Sequence, residues 1–326
     1  MKGKIYFDKI IKRRIEMDIT QKEISEKIGV TLSVIKALET GRSNSSVTTL
    51  EKLADLLGLN IDEIYSPEYR ETSVISIINN KGGVGKTSVC NSLSYSLSEM
   101  NYKVLCIDAD MQMNLTHSFG LEKSQKHLGI AMENEDNLLN YIQKTKYENI
   151  DFIVSDLSMS TTEMLLFTKV ERESVLKHML KDVINKGLYD FIIFDTNPVL
   201  GILNYNVLNV SEYVIIPIEL SIFAIDGLDT LIKYIDSIKK TNDKLTIAGI
   251  VINKYDLREK KITETCEDIV KDIFGDKVFN TKIGVDTKIK QAQLESLPVM
   301  NLGGNIRIVK QYRELAKEVV KVVSSK

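Results

Sequence analysis

Residues 80–88 read Asn80-Lys81-Gly82-Gly83-Val84-Gly85-Lys86-Thr87-Ser88, a glycine-rich loop that ends in a lysine and two hydroxyl side chains. Glycines at 82, 83 and 85 let successive backbone N–H groups turn inward and make an anion cradle. Lys86 supplies a cation for β- and γ-phosphates, and the Thr87 hydroxyl is placed to ligate Mg²⁺. Val84 and Ser88 complete the phosphate-binding stretch. A nucleoside triphosphate is the expected ligand.

Such a loop works where a strand delivers it and a helix N-terminus receives it. The apolar run Val74–Ile78 precedes it and an amphipathic stretch follows, so strand, loop and helix are predicted in that order. Downstream, Val104–Ile107, Phe152–Val154, Phe191–Phe194, Tyr213–Pro217 and Leu245–Ile252 read as strands alternating with helices. That pattern predicts an α/β fold with a mainly parallel, doubly wound sheet, whose chemistry collects at the C-terminal strand ends. Two acidic segments fall at such ends. Asp108 and Asp110 close the Val104 strand, and Asp195 follows four apolar residues, the pattern of a carboxylate that holds Mg²⁺ through water.

The loop departs from the strict P-loop: Asn80 stands where the first glycine is usual, and Lys81 follows, giving K-G-G-x-G-K-[ST]. Asp108 to Asn114 reads D-x-D-x-Q-x-N, with Met111 in a proline's usual place. Together with Asp195, Ile216–Glu219, Ala224–Gly227, Ile289–Ala292 and Leu297–Val299, these segments resemble the deviant Walker A ATPases of the ParA/MinD family over nearly all of residues 72–320. The resemblance implies a P-loop NTPase that uses ATP and Mg²⁺ and releases ADP and phosphate. It further implies that Lys81 reaches across a homodimer interface to the partner's phosphates and that Asp110 orients the attacking water. Lys81, Lys86 and Asp110 are thus the expected catalytic residues. Asp108 is expected near the metal and the nucleotide, Thr87 and Asp195 on the metal, and Asn253 beside adenine. Asn253-Lys254-Tyr255-Asp256 also matches the guanine-reading N-K-x-D, which leaves GTP as the alternative nucleotide.

Residues 1–65 have a different rhythm. Isoleucines and leucines recur at three- and four-residue spacing, which predicts short helices. Thr20 with Glu23 forms a capping box, Gly29 supplies a turn, Thr31 opens the next helix, Gly41 closes it, and Thr48 with Glu51 repeats the capping device. Thr20–Gly41 and Thr49–Leu59 resemble the Cro/C1 (XRE-type) helix-turn-helix family, a small all-α DNA-binding domain. That resemblance puts the helix of Leu32–Glu39 in the major groove, with Gln21, Thr31, Leu32, Ser33 and Lys36 against DNA. Up to residue 42 there are ten Lys/Arg and six Asp/Glu, a balance that favours phosphate contact. The reading positions hold no Arg, Gln or Asn for bidentate base contact, though Leu32 and Ala37 suit thymine methyls; a helical adaptor for protein is the other reading. Residues 66–73, with Pro67, are expected to link this domain to an ATPase domain at 74–326.

Composition is ordinary for a globular chain of 326 residues, and a formal net charge of −2 confines any nucleic-acid contact to local basic patches. Three scattered cysteines and three histidines lack metal-ligand spacing. The start lacks an apolar signal-peptide core, apolar runs are too short to span a bilayer, and the last segment lacks bulky aromatic insertion residues. A cytoplasmic, nucleoid-associated protein without stable membrane association is expected. The combined modules imply a plasmid or chromosome partition ATPase. It would dimerise with ATP, hold DNA non-specifically, act with a ParB-like centromere-binding protein and bind a specific or autoregulatory site through its helix-turn-helix. The alternatives are an ATP-switched transcriptional or replication regulator with little turnover and a positioning ATPase for a membrane-associated or conjugation machine.

Overall fold

The computed structural model describes residues 3–42, 45–67, 71–256, 258, 260–302 and 306–324. The chain divides into two compact units, Met1–Arg70 and Glu71–Lys326.

The first unit runs β1 (Gly3–Ile5), α1 (Phe7–Glu16), α2 (Gln21–Ile28), α3 (Leu32–Glu39), α4 (Val47–Leu57), α5 (Ile61–Ile64) and β2 (Tyr65–Pro67). Ile10, Ile24, Ile35, Leu38, Leu50, Leu53 and Leu57, one to three from each of α1–α4, fill its core. Burying each such side chain stabilises by about 1.5–3 kcal/mol, enough to hold helices too short to persist alone. The Thr20 box forms on both sides: its hydroxyl accepts from the Glu23 N–H, and the Glu23 carboxylate accepts from the Thr20 N–H. Gly29 ends α2 in the left-handed conformation.

Three details differ from the sequence expectation. The cap of α4 is Ser46, whose hydroxyl accepts from the Thr49 N–H, so Thr48 lies inside the helix. Thr31 precedes α3 but its hydroxyl pairs with Ser33 Oγ instead of capping the backbone. The helices are joined by a ribbon: β1 and β2 pair antiparallel, Gly3 with Pro67 and Ile5 with Tyr65. Ser66 and Pro67, expected in the linker, belong to that ribbon.

In the second unit the strands β3 (Ser73–Ile77), β4 (Val104–Ala109), β5 (Gln143–Lys144), β6 (Ile150–Ile153), β7 (Phe191–Thr196), β8 (Tyr213–Glu219) and β9 (Thr246–Asn253) form one sheet in the order β5-β6-β4-β7-β3-β8-β9. All neighbours are parallel except the β5–β6 edge pair. Alternate residues point to opposite faces. Ile75, Ile77, Cys106, Ile193 and Ile215 enter one core, whereas Leu105, Ile107, Ile192 and Phe194 enter another and Val214 and Ile216 a third. Both faces are therefore covered, as a parallel sheet requires.

The covering helices are α6 (Lys86–Glu99), α7 (Asn114–Ser118), α8 (Leu128–Asn134), α9 (Met159–Leu166), α10 (Val175–Asn185), α11 (Ile202–Val210), α12 (Ile222–Ile238), α13 (Lys260–Phe274), α14 (Thr287–Leu294) and α15 (Arg307–Val323). α15 buries Ile308, Tyr312, Leu315 and Val319 in the same core as Val89, Leu93 and Leu97 of α6. Among the described residues no helix is long and apolar enough to cross a membrane.

Candidate functional site

The glycine loop leaves β3 and enters α6 at the C-terminal edge of the sheet, where β3 lies between β7 and β8. Gly83 and Gly85 have left-handed backbones, φ +76° and +93°, and a Cβ on Gly85 would come within 2.1 Å of the Asn253 amide nitrogen. That amide donates to the Val84 carbonyl at 2.7 Å, while the Asn253 oxygen accepts from the Lys254 N–H. Asn79 braces the loop from its other end. Its amide donates to the Pro217 carbonyl and its oxygen accepts from the Lys81 N–H. Asn80, in the place of the usual glycine, donates to the carbonyl of Gly227 on α12.

The two lysines point differently. Lys86 is buried, and its ammonium donates to the carbonyls of Asn79 and Lys81, both at 3.1 Å. Burial holds this ammonium below its usual pKa, opposed by the carboxylates of Asp195 and Asp110. Lys81 is exposed, and among the described residues its ammonium makes no ion pair.

Beneath the loop, β7 lies between β3 and β4, with Asp108 and Asp195 in register on adjacent strands. Thr87 Oγ1 donates to Asp195 Oδ2 at 2.7 Å, whereas Asp195 Oδ1 is buried without a hydrogen-bond partner. Burial pushes the Asp195 carboxyl well above the usual range, Asp108 adds to the push, and the bond from Thr87 opposes it. An orphaned buried oxygen beside a threonine hydroxyl is an arrangement a cation would satisfy. Among the described residues no group of three or more His, Cys, Asp or Glu is placed to hold a metal unaided. A Mg²⁺ carried on phosphate oxygens fits the donors present, namely one hydroxyl, one carboxylate and water.

Asp108 is held behind the cavity. It is fully buried: one oxygen accepts from the Asp110 N–H, the other from the N–H and hydroxyl of Thr116. Burial raises its pKa to about 6 despite those bonds. Its acceptors are thus engaged by the 110–116 loop, and it positions Asp110, which lines the cavity, instead of reaching a ligand itself. Asn253 also lines the cavity, but its amide is engaged by the loop backbone. Asp256 grips Arg258 through both carboxylate oxygens and is held at a pKa of about 2 by that contact. Both polar ends of N-K-x-D, Asn253 and Asp256, are thus engaged within the chain.

The cavity, of about 880 Å³, brings together Gly82, Gly83, Gly85, Lys86, Thr87, Ser88, Asp110 and Asn253. Val84 contributes through its backbone only, with its side chain buried. The far wall was not assigned in the sequence. It is built by Gly284, Val285 and Asp286 with Ile289, Lys290 and Gln293 of α14. The Arg307 guanidinium donates to the Val285 carbonyl, and Gln311 accepts from the Gly284 N–H, so α15 holds this wall in place. Similarity had marked Ile289–Ala292 without giving it a task. His117 lines the cavity as well, whereas His127 caps α8.

In the first unit Thr31, just before α3, and Ser33 and Lys36 on it are exposed, with Leu32 half-buried beside them. Gln21 is drawn inward, its amide donating to Glu39 Oε2 at 2.8 Å. The same carboxylate receives Arg14 at 2.7 and 3.1 Å. Gln21 thus joins α2 to α3, which occupies the group expected on phosphate.

A family model described as an AAA domain matches residues 72–247, and one described as helix-turn-helix matches residues 10–64. The sporulation initiation inhibitor protein Soj of Bacillus subtilis is 32% identical over 249 residues, covering 76% of this chain and 97% of that protein. A putative plasmid partition protein of Borrelia burgdorferi bound to AMPPNP superposes with a TM-score of 0.64 at 26% identity, over 78% of this chain and 98% of that one. The septum site-determining protein MinD of Pyrococcus horikoshii, complexed with Mg-ADP, gives 0.63 at 26% identity, over 77% and 97%. With its phosphate loop, its paired carboxylate strands and these relatives, the chain belongs to the Soj/ParA/MinD family of P-loop ATPases and carries a helix-turn-helix unit at its N-terminal end.

Proposed function

We propose that this chain is a ParA-type partition ATPase that closes into a dimer on ATP. The observation that carries the reading is the opposed pair of lysines on one loop: Lys86 buried among loop carbonyls, Lys81 exposed and without an ion-pair partner among the described residues. A cation at the rim of a phosphate cradle completes a second copy's site more readily than its own, and Lys81 is assigned that task.

In the proposed reaction the loop N–H groups and Lys86 hold the phosphates, and Lys86 balances charge as the β–γ bond breaks. Thr87 and Asp195 would hold Mg²⁺, which supplies further neutralisation of the phosphate oxygens. Asp110, fixed by Asp108, orients the attacking water. ATP is favoured over GTP because Asp256 is engaged by Arg258 and Asn253 by Val84, which leaves the base to the wall at 284–293. The helix-turn-helix is assigned to a specific or autoregulatory DNA site, the ATP-bound dimer to non-specific DNA on the nucleoid, and a ParB-like protein to stimulation of turnover. Among the basic residues Lys233, Lys239, Lys240, Lys244, Arg258, Lys310 and Arg313, four (Lys233, Lys239, Arg258 and Arg313) sit in ion pairs, so Lys240, Lys244 and Lys310 are the better candidates for non-specific contact; the side chains of Lys260 and Lys261 lie outside the described residues.

Light scattering with ATP tests the reading on Asp110→Ala, which should bind without turnover. The expected result is a doubled mass, lost in Lys81→Ala with nucleotide binding retained. A chain that stays single with ATP, or hydrolysis unaffected by Lys81→Ala, overturns it. The fused DNA-reading module also favours the second reading, an ATP-switched regulator, and phosphate release that DNA and partner fail to stimulate would select it.

A further inference from the structure

We propose that the helix-turn-helix selects its site by thymine methyl groups and not by hydrogen bonds to base edges. This rests on the DNA-reading role proposed above and deepens it. Recognition of guanine or adenine by a rigid pair of polar atoms uses Arg, Gln or Asn side chains, whereas Lys reaches guanine through one flexible ammonium that fixes a base less sharply. Of such groups around α3, Arg14 and Gln21 are both bound to Glu39, whose side chain is only 5% exposed, and Arg42 is exposed but follows the C-terminal end of the helix, away from Leu32 and Ser33. Releasing either would leave a buried carboxylate short of partners, a strongly unfavourable exchange.

What α3 presents is of another kind. Thr31 and Ser33 hydroxyls bond each other at 2.8 Å, which occupies one donor of the pair. Lys36 is a flexible single-headed cation, suited to phosphate and guanine alike. Leu32 and Ala37 are partly exposed and offer only hydrocarbon. In the major groove the thymine C5-methyl is the one apolar feature of a base pair, so these side chains discriminate thymine from cytosine by burying it.

The test uses the full-length chain without nucleotide, so that the ATP-dependent dimer does not contribute. A duplex pool with a randomised centre is passed through repeated capture, and the enriched duplex is compared with the same duplex carrying deoxyuridine for thymidine. Pairing is unchanged and only the methyls are lost. The expected result is enrichment of A·T pairs at the centre and binding roughly three- to tenfold weaker with deoxyuridine. Leu32→Ala should erase part of that difference at an unchanged melting temperature, while Lys36→Ala weakens both duplexes equally. An enriched duplex that tolerates deoxyuridine without loss, or one with G·C pairs at its centre, overturns the inference and leaves DNA reading standing. No enrichment at all overturns the DNA-reading role and the inference with it.

Discussion

Alanine placed at each of the three loop glycines in turn should give three different results, because the backbone asks something different at each. Gly82 has open space around its would-be Cβ and no left-handed φ, so Gly82→Ala should stabilise by about 0.4–1 kcal/mol through lost unfolded-state freedom. Gly83 is left-handed at +76° but equally open. A Cβ there costs about 1–2 kcal/mol, offset in part by about 0.5–1 kcal/mol of lost unfolded-state freedom, for a net near 1 kcal/mol. Gly85 adds a collision at 2.1 Å with Asn253, whose bond to Val84 would have to break. Losing that buried bond adds about 1–3 kcal/mol, for a total near 3 kcal/mol. At about 2–4 °C per kcal/mol for a unit of this size, the second unit should melt about 2 °C higher, about 3 °C lower and about 9 °C lower respectively. Scanning calorimetry of the full chain reads this series. In Gly85→Ala/Asn253→Ala the loss should be smaller than the sum of the two single losses, since the clash is gone. Equal shifts at all three glycines, or strict additivity in the double variant, would refute the picture of Asn253 as the loop's brace.

Ser46→Ala should destabilise the first unit by about 1 kcal/mol while Thr48→Ala leaves it unchanged, as urea unfolding followed by circular dichroism will show. Arg14→Ala leaves the carboxylate of Glu39 with Gln21 alone and should cost about 3 kcal/mol, lowering the first unit's calorimetric transition without moving the second. Glu267 is raised by burial, but bonds from Lys271 and Lys282 outweigh this and leave its pKa below the usual value. Its folded pKa is depressed, so the stability it contributes is present above about pH 4.5 and is lost as pH falls through the folded value. The gap between wild type and Glu267→Gln in thermal melts should therefore close on acidification below that point; a gap that widens would contradict the assignment. Asp110→Ala should slow phosphate release at least about 100-fold with nucleotide affinity retained, measured by coupled assay and titration.

The phosphate loop and the sheet were legible because their signals are local: glycines in a fixed string and apolar runs of strand length. Four of the six strands read from the sequence are longer than their apolar runs, since polar ends such as Asp195-Thr196 and Glu219 continue the ladder through backbone bonds that composition does not record. Ser46 went unrecognised because two hydroxyl residues near one helix start look equivalent until the backbone decides which precedes the first turn. The commitments of Asn253 and Gln21 were illegible for a stronger reason. Each is fixed by a partner brought close only by folding, at separations of up to 169 residues for Asn253 and Val84. The far cavity wall shares this origin, as its shape depends on Arg307 and Gln311 from a later helix.

The knot that Asp108 ties has a consequence for how freely its neighbourhood can vary. Both ends of the bend from Asp110 to Thr116 are fastened to one carboxylate seated on a rigid strand, so the curve is dictated from below and does not need the ring of a proline at 111. Methionine is therefore tolerated there, and the same anchorage should let residues 111 and 112 drift in identity while the acid at 110 stays where the sheet puts it.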